Sequence, residues 1–344
     1  MRALRVAGPG VVALEDVARP TPGPDEVVVR VRACGICGTD LHWFHGAFPA
    51  PTVCPGHEIA GEVADVGSAV RALRAGDAVA LEGIVGCAVC RYCRTGQYHL
   101  CQALDIVGLT IPGGFADYVC VPARHCFRTA PGISAAVAAL SEPLAVAVHG
   151  VRRAPLEIGA RVLVLGAGTI GLMAIVAARA GGAGEVVATA RRPQQRAAAG
   201  RLGADRVFGD DDAGALDAFA RASPIDVVIE TVGGTADTLT TATAACRPGG
   251  TICVLGVFTG TPPIAAIRLV AKELTLKGSM VYNRADGRAD FEITQDLLAR
   301  EHARLESVVT HRIPLAEAPR AFALAADKTS GSIKVTVTDG DRSA

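Results

Sequence analysis

The amino-acid sequence predicts an α/β fold in two parts, a β-rich region and a doubly wound sheet of six parallel strands. Three observations lead to this prediction. The chain has 344 residues, which is enough for two ordinary domains. Half of the residues are hydrophobic but only 4% are aromatic, as is typical of parallel strands packed against helices. From about residue 151 onward, apolar strand-like segments alternate with Ala-rich helical segments, such as those expected over 193–202 and 235–246.

Charge and hydropathy exclude several kinds of partner. Lys plus Arg and Asp plus Glu both number 34, and no polybasic tract stands out, so nucleic acid and anionic membranes are poor candidates. The N-terminus lacks the pattern of a signal peptide, which predicts a cytoplasmic protein. Glycines break the long apolar run 162–178 into a strand-like and a helix-like half, so we expect buried core there instead of a membrane span.

The β-rich region comes first, with short strands expected in 27–33, 58–67 and 76–81. The C-terminal segment carries helices and a final strand, "SIKVTV", and we expect it to return to this first region. The predicted domains are therefore residues 1–152 with 291–344, and residues 153–290. Six strands are expected in the second domain, in the segments "RVLVL", "EVVAT", "DRVF", "DVVIET", "GTICVLG" and "LTLKGSM".

Four cysteines crowd one loop of the first region. Cys87, Cys90, Cys93 and Cys101 follow the spacing C-x2-C-x2-C-x7-C. Four thiolates at such spacing are typical of structural zinc, whose closed shell leaves no position for a substrate. An iron–sulfur cluster and unliganded thiols are the alternatives. Eleven cysteines in a chain without an export signal favour metal or thiol chemistry over a disulfide framework.

A second group of metal-ligand residues begins with the segment 34–42, "CGICGTDLH". A thioredoxin-like redox pair is one interpretation, but that motif lacks the polar residues that follow here. His57 and Glu58 come shortly afterwards, and Glu142 interrupts an otherwise apolar segment, where an unpaired carboxylate would be costly to bury. One cysteine, one histidine and one carboxylate, with a fourth position open, are typical of catalytic zinc.

The second domain carries a glycine-rich turn between a strand and a helix, Gly166-Ala-Gly168-Thr-Ile170-Gly171. In this context the glycines predict a dinucleotide site with the pyrophosphate at the helix N-terminus. The next strand ends at Ala190, where an NAD enzyme would carry an acidic residue, and three arginines follow: Arg191, Arg192 and Arg196. Guanidinium groups bind phosphate well, so we predict NADP(H). Alternatively, these arginines only begin a solvated helix, and both cofactors are accepted.

Taken in order, the "CGICGTDLH", "GHE", four-cysteine, "SEPLAVAVHG", "GAGTIGL" and "SGSIKV" segments resemble the zinc-containing medium-chain alcohol dehydrogenases, particularly the polyol (sorbitol) and threonine dehydrogenase branch. The resemblance implies a GroES-like catalytic domain and a Rossmann domain. It also implies two zinc ions per chain, one catalytic and one structural, and a homodimer or homotetramer.

The resemblance also assigns roles to individual residues. Cys37 and His57 correspond to ligands of the catalytic zinc, and Cys34 to a neighbouring core thiol. Glu58 and Glu142 are both candidate carboxylate ligands, and which of them binds at rest stays open. Thr39 and His42 correspond to the proton relay. The cofactor is expected to meet Val232, Leu255 and Val257, with Lys334 near the pyrophosphate.

The implied reaction interconverts a secondary alcohol and its ketone. A polyol, sugar, cyclitol or aminocyclitol is the first expected substrate and a simple secondary alcohol the second, because Val281 stands where the polyol branch often has arginine. A non-catalytic NADPH-binding relative is a further alternative. Four aromatic residues are candidates either for pocket walls or for core: Trp43, Phe44, Phe48 and Phe115.

Overall fold

The computed structural model describes residues 1–209, 212–284 and 287–340. The chain divides into two compact units, residues 1–142 with 283–344, and residues 143–282. The sequence-based boundaries lay at 152/153 and 290/291. The observed division falls in the first turn of a long helix, at Glu142/Pro143, and just before Asn283, which precedes the C-terminal helices.

The strands, in chain order, are β1 (Arg2–Gly8), β2 (Val11–Asp16), β3 (Glu26–Gly35), β4 (Glu58–Val66), β5 (Ala78–Leu81), β6 (Ile84–Val85), β7 (Asp105–Ile106), β8 (Tyr118–Pro122), β9 (Cys126–Arg128), β10 (Arg161–Leu165), β11 (Glu185–Thr189), β12 (Arg206–Phe208), β13 (Ile225–Glu230), β14 (Cys246–Val254), β15 (Thr275–Gly278), β16 (Val309–Pro314) and β17 (Lys334–Thr338). The helices are α1 (Gly38–Phe44), α2 (Arg91–Arg94), α3 (Ala135–Ala138), α4 (Ser141–Arg153), α5 (Thr169–Ala180), α6 (Pro193–Arg201), α7 (Ala213–Ala222), α8 (Thr238–Ala245), α9 (Ala266–Ala271), α10 (Asp290–Leu305) and α11 (Ala318–Ala326).

The first unit is built on a sheet with the strand order β16-β17-β3-β4-β5-β9, and β8 also pairs with β3. Alternating β-branched residues make β3 the central strand, because Val27, Val29 and Val31 bury one face. The C-terminal strand β17 pairs antiparallel with β3, so it belongs to the sheet of this unit.

An aromatic cluster fills the core of the first unit. Phe322 on α11 lies 5.3 Å, centroid to centroid, from both Trp43 and Phe115, and 5.4 Å from Phe44. These residues are buried in the core, so three of the four candidate pocket walls are packing residues. Phe48 is only partly buried against the same core.

The second unit contains a parallel sheet with the order β12-β11-β10-β13-β14-β15 in the described residues. This confirms the predicted doubly wound sheet, in which the chain moves outward from β10 in one direction and then in the other. The apolar run 162–178 becomes β10 and α5, both almost wholly buried. No helix in the described part of the chain is long and apolar enough to cross a membrane.

Candidate active site, metal centres and nucleotide turn

The cysteine of the opening motif is positioned by a helix start. β3 ends at Gly35, and Cys37 is the N-cap residue of α1. The Asp40 carboxylate accepts a hydrogen bond of 2.8 Å from the Cys37 N–H, which fixes the first turn. Thr39 Oγ1 lies 3.9 Å from Cys37 Sγ. The helix start therefore presents a thiol and a hydroxyl side by side.

The histidine and the first glutamate meet this thiol across the sheet. β4 begins at Glu58, which pairs with Gly35 at the end of β3. A side chain at position 35 would collide with the Glu58 carboxylate, so this close pairing requires glycine. The ligand atoms of Cys37, His57 and Glu58 all lie within 4.8 Å of one another. A thiol, an imidazole and a carboxylate at this spacing fit a zinc ion with an open coordination position.

Glu58 also has a cationic partner. Lys334 Nζ, at the start of β17, donates to both carboxylate oxygens of Glu58 at 2.7 and 2.6 Å and to the Ile36 carbonyl at 2.9 Å. Both side chains are buried, with relative exposures of 2% and 1%. Burial lowers the pKa of Lys334, but the charges of Glu58, Cys37 and Asp40 and the hydrogen bond to Glu58 together raise it above its usual value. The structure thus gives Lys334 a partner within its own unit, whereas the resemblance assigned it to the pyrophosphate.

Asp40 is a site residue that the sequence reasoning missed. Its side chain is fully buried, and its Oδ1 atom has no hydrogen-bond partner in the described residues, nor has His57 Nδ1. Burial raises the pKa of Asp40, and the His57 charge opposes this rise. Asp40 therefore acts on the site through its charge and through the hydrogen bond that it accepts from the Cys37 N–H. The signal in the sequence was its place three residues after Cys37, which is a capping position.

Glu142 and His42 lie near the group without belonging to it. Glu142 is buried in the first turn of α4. Glu142 lies outside the tight group of ligand atoms found in the described residues. Burial lowers the pKa of His57, Cys37 raises it most, and the charge of Glu142 raises it as well. His42 is half-buried on α1, and burial lowers its pKa, with smaller contributions from the charges of His45 and Lys328.

The four-cysteine loop has the geometry of a closed metal shell. All four Sγ atoms of Cys87, Cys90, Cys93 and Cys101 lie within 4.8 Å of one another. Two of the distances, Cys87 to Cys93 and Cys90 to Cys101, are 3.9 and 3.8 Å. Tetrahedral zinc with Zn–S bonds of about 2.3 Å places sulfurs about 3.8 Å apart. Backbone N–H groups of Val89 and Cys90 lower the pKa of Cys87 to about 6, whereas burial and the hydrogen bond to Cys90 raise the pKa of Cys93 to about 12. A bound cation would favour the thiolate form of all four.

The same loop is attached to the sheet by a buried polar chain. The Tyr98 hydroxyl donates to one oxygen of Glu82, and His125 Nδ1 lies 2.8 Å from the other. Glu82 and His125 are both buried. The Arg284 N–H also donates to the carbonyl of Gly96 at 2.9 Å. These contacts hold the metal loop against the first unit from two sides.

In the second unit, the glycine-rich turn follows β10 directly. Gly166 has a φ of 93°, which favours glycine. A side chain at Gly171 would run into the Gly166 carbonyl, so only glycine lets the start of α5 approach the turn this closely. The Gly166 N–H donates to Thr189 Oγ1 at 2.9 Å, which ties the turn to the end of β11. Such a turn before a helix N-terminus suits a pyrophosphate.

The basic residues lie beside this turn. Ala190 follows β11, and Arg192 is the N-cap residue of α6. Arg191 is exposed, whereas Arg196 donates to the Ala190 carbonyl at 3.3 Å. Val232 and Val257, which follow β13 and β14, are exposed apolar residues, and Leu255 is partly buried. The predicted cofactor residues of this unit thus lie at the carboxyl edge of the sheet.

Glu230, at the end of β13, is a second residue that the sequence reasoning missed. One of its oxygens accepts hydrogen bonds from the N–H groups of Val232 and Gly233 and from Thr238 Oγ1, at 2.8, 3.0 and 2.8 Å. Its side chain is fully buried, and its backbone carbonyl accepts from Leu255 N–H. Glu230 therefore organises the loops that follow both β13 and β14.

Comparisons with known proteins agree with this arrangement. Residues 23–131 match the model of the alcohol dehydrogenase GroES-like domain, and residues 169–300 match that of the zinc-binding dehydrogenases. L-threonine 3-dehydrogenase from Rhizobium etli is 34% identical over 331 residues, which cover 93% of each chain. The chain belongs to the zinc-containing medium-chain alcohol dehydrogenase family.

Solved structures of this dehydrogenase family show the same fold. A zinc-binding dehydrogenase from Sinorhizobium meliloti 1021, bound to NADP, has a TM-score of 0.89 and 34% identity, and the alignment covers 98% of both chains. Galactitol-1-phosphate dehydrogenase from Escherichia coli has a TM-score of 0.90 and 28% identity, with coverage of 98% and 100%. The predicted family and the GroES-like and Rossmann folds are confirmed, and the protein is an oxidoreductase of the zinc dehydrogenase class.

Proposed function

We propose that the protein interconverts a secondary alcohol and its ketone with NADP(H), at a catalytic zinc site formed by Cys37, His57 and a glutamate. The observation that carries this proposal is the convergence of a thiol, an imidazole and a carboxylate beside the first turn of α1. A bound zinc ion would act as a Lewis acid, which can lower the pKa of a bound water from about 15.7 to about 7.

The residues of α1 supply the proton pathway in this proposal. Thr39 stands next to Cys37 and would accept the substrate proton through its hydroxyl. His42 lies one helical turn further and is half-buried. Because its pKa is lowered, the ring is mostly neutral at pH 7 and can take up a proton for release to solvent.

We assign the resting carboxylate ligand to Glu142. Glu58 is the carboxylate that lies within 4.8 Å of the Cys37 and His57 ligand atoms, but Lys334 already engages both of its oxygens. The charge of Glu142 also raises the pKa of His57, so Glu142 is the second carboxylate that can serve this site. Glu142→Gln should lower the zinc content from about two ions to about one per chain. Replacing both members of the pair, E58Q/K334M, removes two opposite charges and should leave two ions. Loss of zinc from the pair variant alone would assign the ligand to Glu58.

The cofactor preference follows from the end of β11. The absence of a carboxylate at Ala190, with Arg191 and Arg192 next to it, favours a 2′-phosphate. One structural relative was solved with NADP and another, from Escherichia coli, with NADH, so the family includes both choices. Arg191→Ala should reduce kcat/KM for NADP+ by about tenfold or more and leave that for NAD+ nearly unchanged.

The substrate class is proposed from the relatives. They include dehydrogenases of L-threonine, galactitol 1-phosphate, L-idonate and 2R,3R-butanediol, whose substrates carry a polar group beside the reacting hydroxyl. A polyol, sugar, cyclitol or aminocyclitol fits this pattern. The test is NADP+ reduction across such compounds, L-threonine and simple secondary alcohols, with NAD+ in parallel. Turnover of simple alcohols alone would contradict the substrate class, and preference for NAD+ would contradict the cofactor assignment.

We also propose a cytoplasmic homo-oligomer. All eleven cysteines are free, which fits a reducing compartment. An apolar sheet edge in the second unit, formed by β15 and its flanking residues, supports self-association.

A further inference from the structure

A cavity of about 400 Å³ lies in the second unit, at the amino ends of β13 and β14. The glycine-rich turn follows the carboxyl end of β10, so the cavity is at the opposite edge of the sheet from the expected cofactor. Six-residue strands separate these edges by about 20 Å. The ends of α7 and α8 and one face of α9 form the walls.

Four cationic side chains from three elements line the cavity: Arg221 on α7, Arg247 on β14, Arg268 on α9 and Lys272 just after it. The single acidic residue of the lining is Asp217. Cys246 also lines it, and burial raises the pKa of this thiol to about 11, so it stays neutral at pH 7. The cavity therefore carries an excess of positive charge.

One of the four cations, Lys272, already caps the end of a helix. Lys272 Nζ donates to the carbonyls of Thr243, Ala244 and Cys246 at 3.0, 2.7 and 2.8 Å and so caps α8. This uses all three of its N–H groups. Burial lowers the pKa of Lys272, and the positive charge of Arg268 lowers it further. Lys272 and Arg268 thus repel each other, and a bound anion would relieve that repulsion.

The guanidinium groups retain unused donors. Arg247 donates through Nε to Asp226 at 2.6 Å and through Nη1 to the Pro248 carbonyl at 2.8 Å, so its Nη2 is left over. Arg268 makes one hydrogen bond of 3.3 Å, to the Thr240 carbonyl. Arg221 makes no hydrogen bond or ion pair with any residue in the described part of the chain. Planar guanidinium groups with free N–H pairs suit the oxygens of a phosphate.

We propose that this cavity is a second ligand site, which binds a phosphate dianion through Arg221 and Arg268, with Arg247 and Lys272 adding positive charge. A volume of about 400 Å³ exceeds inorganic phosphate and accommodates a small phosphomonoester. The cavity lies at the opposite edge of the sheet from the nucleotide turn and shares no lining residue with the proposed catalytic or cofactor site, so this site is independent of the proposed function.

The test is calorimetric titration of the zinc-loaded protein, saturated with NADPH so that the 2′-phosphate site is filled. Inorganic phosphate and glycerol 3-phosphate are titrated at constant ionic strength. R221A and R268A should each weaken binding about tenfold, because each removes a charged donor. R300A removes an exposed arginine of the other unit and should bind like the wild type. Alcohol oxidation should be unchanged in all three variants.

If glycerol 3-phosphate binds more tightly than inorganic phosphate, the site is assigned to phosphomonoesters. If it binds equally or more weakly, the site is assigned to free phosphate. Either result supports the proposal only if R221A and R268A each weaken the binding about tenfold. Binding that survives in the R221A/R268A double variant would place the anion elsewhere, for example at the catalytic metal, and would overturn the proposal. Absence of any binding to the wild type would overturn it as well.

Discussion

The ion pair between Glu58 and Lys334 is the most deeply buried charge contact beside the proposed metal ligands. Both charges have lost nearly all contact with water, and each depends on the other for compensation. Removing one partner of such a pair leaves an uncompensated buried charge, which costs about 3–5 kcal/mol, whereas removing both is often nearly neutral. The pair therefore contributes more to specifying this arrangement of strands than to net stability.

Lys334→Met should consequently lower the free energy of unfolding by about 3 kcal/mol, and the double variant E58Q/K334M should recover most of that loss. Urea unfolding of both variants and the wild type measures the effect. Lys328→Met removes an exposed lysine close by in sequence and should change stability by less than about 0.5 kcal/mol. Equal losses in K334M and the double variant would show that the lost contact is not electrostatic.

The sequence predicted those site residues that stand at a characteristic spacing within one short segment. Cys37 and the four cysteines of the metal loop could be found because metal-ligand spacing is visible within a few residues. The Lys334 contact could not, because its partner is 276 residues away and comes near only through the pairing of β17 with β3 and of β3 with β4. Asp40 and Glu230 were missed because a buried carboxylate looks in a sequence like a surface one.

The position of the metal loop, the segment 87–101 with the four cysteines, depends on one tyrosine that is not a metal ligand. Tyr98 lies between Cys93 and Cys101 and donates to Glu82, which also contacts His125. Burial and the Glu82 charge both raise the pKa of Tyr98, so the hydroxyl keeps its proton and remains a donor throughout the usual pH range. The loop is thus tied to the ends of β5 and β9 by a neutral donor and a buried carboxylate.

Tyr98→Phe should lower the free energy of unfolding by about 1–3 kcal/mol, because a buried carboxylate oxygen loses its partner. It should also speed the loss of structural zinc to a chelator, which absorbance of a zinc-sensitive dye can follow. Tyr92→Phe is the matched control in the same loop, since Tyr92 is exposed. If both variants release zinc at the wild-type rate, the polar chain does not secure the loop.

The loops after β13 and β14 share one organising carboxylate, Glu230. Glu230→Gln keeps the size of the side chain but loses charge on the oxygen that accepts three hydrogen bonds. We expect the NADPH dissociation constant to rise about tenfold, because hydrogen bonds to a charged group are worth about 1.5–3 kcal/mol. Quenching or enhancement of NADPH fluorescence measures it. Asp237→Asn, an exposed carboxylate nearby, should bind like the wild type. An unchanged NADPH dissociation constant in E230Q would show that the hydrogen bonds accepted by Glu230 do not contribute to cofactor binding.

Periodicity predicted most of these elements. The six strands of the second unit and the helices between them follow from apolar strand-like segments that alternate with Ala-rich helical ones, and the structure contains them all. One helix expected over 235–246 begins only at Thr238. Thr238 Oγ1 donates to Glu230, and the Ala236 N–H donates to the Gly233 carbonyl at 3.2 Å in a turn, so residues 235–237 form a loop that leads into the helix. Tertiary contacts of this kind decide helix ends, and a local pattern does not contain them.

The two edge strands of the large parallel sheet differ in length and in the side chains that they expose. β12 is three residues long and carries Arg206, as a protected edge does. β15 exposes Leu276, and three apolar residues nearby are also exposed: Ile267, Val270 and Met280. The exposed fractions of Ile267 and Val270 are 76% and 77%. Within the described residues, the outer edge of β15 has no neighbouring strand. Such an edge among exposed apolar side chains is suited to pairing with a second copy across a twofold axis.

We therefore expect the wild type to be at least a dimer and Leu276→Lys to shift it toward the monomer, because an ammonium group at the centre of an apolar interface would lose its hydration. Light scattering after size-exclusion chromatography gives the mass, and circular dichroism shows whether the variant is folded. Ile158→Asp is the control, since Ile158 is an exposed apolar residue of the same unit outside β15 and its flanks. It should leave the mass unchanged. A folded L276K protein with the wild-type mass, or a wild type that is monomeric at all concentrations, would show that this edge is not the interface.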